Sequence, residues 1–185
     1  MADTASNMLP LGTKAPFFDL PDTISDSCVS LESIKGTSGT VIMFICNHCP
    51  FVIHLNSEIV SIANQYLKKG IGFVAISSND ANKFPQDGPD KMKLHAINEE
   101  YPFPYLYDES QATAKAYNAA CTPDFYVFDK DLKLSYRGQL DDSRPRNSLP
   151  ITGRDLRHAL DCLIENKENN SIQKPSIGCS IKWKQ

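Results

Sequence analysis

Long apolar runs are missing from this chain. The clearest one, Val41 to Cys46, is far too short to cross a bilayer. A basic excess is missing as well: 19 Lys and Arg stand against 22 Asp and Glu, for a formal net charge of −3. No cationic stripe or basic amphipathic segment marks a nucleic-acid or membrane-surface partner. The first twenty residues have neither a basic nor an apolar leader region and carry Asp3 and Asp19, so the expected compartment is the cytoplasm. Six cysteines in 185 residues are too sparse for a disulfide scaffold, which leaves metal binding or redox chemistry for any that are closely paired. There is no internal repeat and no linker rich enough to separate two domains. With 41% hydrophobic residues, one domain with one sizeable core is expected.

What is present is an alternation of buried strands and helices. Thr40 to Ile45 is a β-branched and aromatic run, the pattern of a central strand covered on both faces. From Val52 to Leu67 the apolar residues fall at helical spacing, and Lys68-Lys69-Gly70 stops the helix. Ile71 to Ser77 reads as a second buried strand, Lys91 to Glu100 as a helix, Tyr105 to Tyr107 as a short strand and Ser110 to Tyr117 as a short helix. Asp129-Lys130-Asp131 is a turn signal between Phe125–Phe128 and Leu132–Tyr136, hence a hairpin. A long loop is expected over Gly138 to Gly153 and a last helix over Arg154 to Asn166. This order predicts an α/β fold with a central mixed sheet and helices on both faces. Residues 1–8 are expected to be disordered, 9–166 to form the domain, and 167–185 to be a tail packed on it.

The chemistry-bearing motif is Cys46-Asn47-His48-Cys49, where a buried strand gives way to a helix. Free backbone N–H groups and the positive end of the helix dipole stabilise a thiolate there. Such thiols fall from an ordinary pKa of ~8.5 into roughly the 3.5–7.5 range. Cys46, placed at the exposed lip of the turn, is the expected nucleophile, and Cys49, one helical turn in, the resolving thiol. Pro50 suits the first helical turn, where a missing N–H costs little. His48 is expected to stabilise a neighbouring thiolate and to make the couple more oxidising than a thioredoxin. A zinc site would require a second ligand pair at comparable spacing, and the sequence has none. No metal and no cofactor are therefore expected.

Further motifs carry a family resemblance. The lead-in Leu11-Gly12-Thr13-Lys14-Ala15-Pro16-Phe17-Phe18-Asp19-Leu20, the Cys-x-x-Cys after the first central strand and Thr122-Pro123 before a later strand resemble the thioredoxin-like superfamily, in its redoxin or AhpC/TSA (peroxiredoxin-like) branch. Cys46-x-x-Cys49-Pro50-Phe51 and the tail Gly178-Cys179-Ser180-Ile181-Lys182-Trp183-Lys184 resemble a bacterial subgroup of unassigned substrate. The resemblance covers about residues 9 to 166. It implies a thioredoxin-like fold with an N-terminal β extension and a C-terminal tail. It also implies that Thr122-Pro123 forms a cis-proline loop that pairs with the substrate backbone. Two departures stand out: Ile45 replaces the thioredoxin tryptophan, and Cys46 stands where a peroxiredoxin keeps the threonine that holds peroxide.

Three functions follow as expectations. The first is a thiol–disulfide oxidoreductase acting on protein or small-molecule disulfides. The second is a thiol peroxidase acting on hydroperoxides, and the third a copper-binding module of the Sco type, whose later histidine ligand has no counterpart between His95 and His158. A cellular thiol reductant is the expected partner of either enzyme. Monomer and homodimer both stay open. Cys121 and Cys179 are candidates for additional redox thiols, Cys121 through its place beside Thr122 and Cys179 as a resolving thiol in the tail. Cys28 reads as a sheet-edge residue and Cys162 as helix packing. His54, His95 and His158 read as surface helix residues, and the charges of Asp141 to Arg146 as a solvated loop. Trp183 is expected half-buried where the tail docks.

Overall fold

The computed structural model describes residues 3–185. Its centre is strand β4 (Gly39–Phe44), buried at all six positions, which explains its unbroken apolar sequence. On one side β4 runs parallel to β5 (Ile71–Ser77), which runs parallel to β6 (Tyr105–Tyr107). On the other side β4 lies antiparallel to β8 (Asp124–Asp129), the first strand of a hairpin with β9 (Leu134–Gly138). The five-stranded order is thus β6-β5-β4-β8-β9.

Alternate residues of these strands feed two cores. Val41, Met43, Phe73, Ala75, Phe125 and Val127 face helices α2 (Pro50–Leu67), α3 (Pro89–Asn98) and α5 (Arg154–Ile164). Ile42, Phe44, Val74, Ile76, Tyr126 and Phe128 face the opposite layer, with α1 (Leu31–Ile34), α4 (Ala112–Ala116) and the lead-in residue Phe18. The mixed sheet with helices on both faces is the predicted architecture. No helix among the described residues is long and apolar enough to cross a membrane.

The two ends of the chain meet beside the main sheet. β1 (Asp3–Ala5) pairs antiparallel with β10 (Ile177–Ser180), and β10 pairs antiparallel with β7 (Cys121–Thr122). The expected disorder of residues 1–8 is therefore corrected for Asp3–Ala5. A polar tripeptide finds order because β10 offers it a free edge, and Ser6 extends the match by donating its N–H to Ser176 O at 2.9 Å. Met1 and Ala2 lie outside the described residues. A separate two-stranded piece, β2 (Asp19–Pro21) with β3 (Cys28–Ser30), decorates the lead-in.

Candidate active site

The chain leaves β4 at Phe44, and Ile45 still hydrogen-bonds Ile76 O at 3.0 Å. It then turns through Cys46-Asn47-His48, and Cys49 caps the N-terminus of α2 with Pro50 in the first turn. The turn is held from outside its own sequence. The Asp87 carboxylate, fully buried in the 3-10 turn Pro85–Asp87, accepts from Asn47 N at 3.0 Å, Asn79 Nδ2 at 2.8 Å and His48 Nδ1 at 2.6 Å. The Asn47 side chain donates to Gln86 O at 2.8 Å and accepts from the Tyr105 hydroxyl at 3.0 Å. The His48 ring stacks on Phe84, with centroids 5.8 Å apart and planes 3° from parallel. Asp87 has no sequence signal linking it to the motif; only the fold brings it there.

Both thiols face the Thr122–Pro123 peptide, which is cis. Cys46 Sγ lies 3.5 Å from Thr122 Oγ1 and 4.0 Å from His48 Nδ1. Cys49 Sγ lies 3.1 Å from Thr122 O. The expected exposed lip is not found: Cys46 is 1% exposed and Cys49 is fully buried, because β7 and β10 cover the turn. Both meeting Thr122, the two thiols titrate as one pair. Within the pair the pKa of Cys49 is pushed down to about 5, first by the hydrogen bond from Cys46 and further by Thr122, Cys179 and the Val52 amide, against the opposing effect of burial. Cys46 correspondingly moves upward, through that same hydrogen bond and through burial. His48 is raised, chiefly by its hydrogen bond to Asp87. The lowered pKa belongs to the pair, since Cys49 Sγ is itself placed to donate to Thr122 O.

Cys46 Sγ, His48 Nδ1 and an Asp87 oxygen lie within 4.8 Å of one another, the spacing of a ligand set. His48 would have to exchange its bond to Asp87 for a metal bond there, since one nitrogen serves both.

The remaining expected residues separate. Cys179 is 3% exposed and packs in the same apolar cluster as the pair. Cys121 is buried, with its thiol toward Pro123 O at 3.8 Å and Ser176 O at 4.0 Å, and burial pushes it upward. Cys28 is exposed on β3, and Cys162 lies 3.7 Å from His158 Nε2 on α5. Of His54, His95 and His158, only His158 is exposed. His54 is half-buried and joins Ser143 Oγ at 2.8 Å, and His95 meets Asn56 Nδ2 at 3.2 Å. The solvated-loop reading is corrected for Asp141 and Arg144, while Arg146 is exposed as expected. Asp141 is buried and accepts the amides of Ser143, Thr152 and Gly153 at 2.8, 2.6 and 2.7 Å, and Arg144 donates to Asp141 O at 2.6 Å, so the loop braces itself. Trp183 is 38% exposed, with the Lys115 ammonium 5.9 Å from its ring centre.

Among solved structures, an uncharacterized conserved protein from Geobacillus kaustophilus is 60% identical, with a TM-score of 0.98 over 100% of this chain and 97% of that one. A hypothetical protein from Sinorhizobium meliloti 1021 is 43% identical, with a TM-score of 0.95 over 98% of each chain. A thiol:disulfide interchange protein of the thioredoxin family from Chlorobium tepidum TLS is 17% identical, with a TM-score of 0.64 over 84% of this chain and 99% of that one, a likeness of fold. No curated protein matches the sequence. The fold is thioredoxin-like, and over residues 11–137, more than half its length, the chain matches and belongs to the AhpC/TSA family.

Proposed function

We propose that this protein is a thiol–disulfide oxidoreductase in which Cys46 and Cys49 are the redox pair. The observation that carries this reading is the placement of two cysteines at a strand–helix junction, with both thiols against Thr122. The name of the Chlorobium tepidum protein of the same fold agrees with it.

The resting proton lies between the two sulfurs, so its transfer from Cys46 to Cys49 makes Cys46 the nucleophile. Cys46 attacks one sulfur of a substrate disulfide, a mixed disulfide forms, and the other substrate sulfur leaves as a thiolate. Cys49 then attacks Cys46 Sγ and expels the second substrate sulfur. The pair, which held one proton, has lost two electrons and that proton, and the substrate has gained them as one thiol and one thiolate. Cys46 is the attacking atom because it lies beside His48, whose side chain is 18% exposed, while Cys49 is turned under the Thr122 carbonyl. His48, raised chiefly by its hydrogen bond to Asp87 and further by the charge of Cys49, favours the thiolate form of the pair and hence its reduced state, which supports a couple more oxidising than thioredoxin. Beside Pro123, Phe51, His54, Phe125, Arg144 and Ile177 line a small pocket with room for little more than one water molecule. A cellular thiol returns the pair to its reduced state.

The test is turnover of a protein disulfide with a thiol reductant. Cys46→Ser should lower the rate on the order of 10³-fold or more. Cys49→Ser should accumulate a mixed disulfide at Cys46. Full activity in both variants overturns the scheme. Membership of the AhpC/TSA family favours a second reading, a thiol peroxidase. There the thiolate cleaves the O–O bond, one oxygen leaves as water or alcohol, and the sulfenic acid condenses with the other cysteine to release water. Stoichiometric sulfenic acid trapped with hydrogen peroxide, without activity on disulfides, would select that reading.

A further inference from the structure

The tail motif Gly178-Cys179 has a structural cause. β10 pairs with β7 so that Cys179 stands opposite Thr122, the residue whose hydroxyl meets Cys46 and whose carbonyl meets Cys49. Gly178 permits the approach. A Cβ there would stand 1.9 Å from Thr122 O, 2.6 Å from Thr122 C and 3.2 Å from Pro123 N, so no other residue lets the strand come this near. The residues that follow lock the strand in place: Ile181 N donates to Ala120 O at 3.1 Å and Lys182 N to Asn79 Oδ1 at 2.8 Å, while Asp80 N donates to Lys182 O at 2.8 Å. Cys179 is thereby carried into the apolar cluster that holds Cys46 and Cys49, with 3% exposure. Its thiol reaches Cys49 closely enough to lower the acidity threshold of that sulfur, and is itself raised to about 12, mainly by burial. Cys121, on the neighbouring strand, has carbonyl partners instead.

We infer that Cys179 is a third redox thiol, which exchanges with the Cys46–Cys49 disulfide to give a Cys49–Cys179 disulfide and a free Cys46. This rests on the reading of Cys46 and Cys49 as the redox pair. In the exchange Cys179 Sγ attacks Cys49 Sγ, the Cys46–Cys49 bond breaks, and Cys46 leaves as a thiolate and takes the proton that Cys179 gives up. One S–S bond replaces another, and no electrons enter or leave. The consequence is that an oxidised molecule keeps Cys46 available for a further disulfide, while the oxidation is stored under β10.

The experiment is disulfide mapping of the full chain, oxidised with diamide at low protein concentration. Free thiols are blocked, and peptides are identified by mass spectrometry without reduction. In Cys46→Ser, where Cys49 is the one thiol on its tryptic peptide, most molecules should contain a Cys49–Cys179 bond. In the oxidised wild type both Cys46–Cys49 and Cys49–Cys179 bonds should be found, and Cys46 should be alkylated. Cys179→Ala should retain the Cys46–Cys49 bond and lower alkylation of oxidised Cys46 about tenfold. A wild type that forms Cys46–Cys49 but never Cys49–Cys179, with Cys49 of Cys46→Ser left free or joined only between molecules, overturns the inference and leaves the oxidoreductase standing. Absence of a Cys46–Cys49 bond in both wild type and Cys179→Ala overturns the oxidoreductase reading and the inference with it.

Discussion

Two aspartates are completely buried close to the cysteine turn, and the fold provides for them very differently. Asp87 meets a backbone amide, a side-chain amide and an imidazole, so both carboxylate oxygens have donors. Asp124, directly after Pro123, receives the hydroxyls of Ser6 and Tyr126 on Oδ2, and its Oδ1 has no partner among the described residues. Burial without sufficient donors drives Asp124 up to about 7. The comparison shows that two carboxylates at equal depth differ in how many donors the fold brings to them. Asp87 is equipped to anchor the turn and to raise His48; Asp124 is a group whose ionisation the fold resists.

The largest effect should come from removing the anchor. Asp87→Ala leaves Asn47, Asn79 and His48 without their common acceptor, and should cost about 3 kcal/mol in urea unfolding. A loss under about 1 kcal/mol would mean that the turn holds itself. Asp124→Asn should act in the opposite direction. The folded protein holds the Asp124 proton to about pH 7, whereas an unfolded aspartate releases it near ~3.9. Wild-type stability from this group is therefore present at low pH and declines as pH rises through that window. The asparagine variant should match the wild type near pH 5 and exceed it by on the order of 2 kcal/mol near pH 8, as read from unfolding at both pH values. Equal curves at both would remove the contrast between the two aspartates. The smallest effect belongs to His48→Asn. A histidine raised in the folded state stabilises fully below its unfolded pKa and ceases to do so as pH rises through the folded value. Because the ring is partly solvated, the loss should be less than about 1 kcal/mol near pH 5.5 and vanish near pH 9.

The parts of this fold carried by local signals were legible in the amino-acid order. The Val41–Cys46 run, the helical spacing after it and the turn at Asp129–Asp131 each specify their own element, and the cysteine pair falls at the junction of two of them. Thr122-Pro123 was legible through resemblance, and its peptide is cis. What was hidden depends on register and long-range approach. Asp87 reaches His48 across the interval from α2 to α3, and no spacing rule joins them. The burial of Cys46 depends on β10, the last strand, folding back against β7. The same return explains why Asp3–Ala5, polar and unremarkable in sequence, becomes a strand, and why Gly178 precedes Cys179.

The central claim is that two buried thiols hold one proton between them, leaving one sulfur charged at neutral pH. Titration of thiolate absorbance at 240 nm in the reduced protein, with Cys46→Ser and Cys49→Ser as references, tests this directly. One thiolate should appear near pH 5 in the wild type, with its partner ionising only in strongly alkaline solution, and Cys49→Ser should lose the acidic step. A wild type in which neither thiol of the pair ionises below about pH 8, the range of ordinary free cysteine, would contradict the proposal.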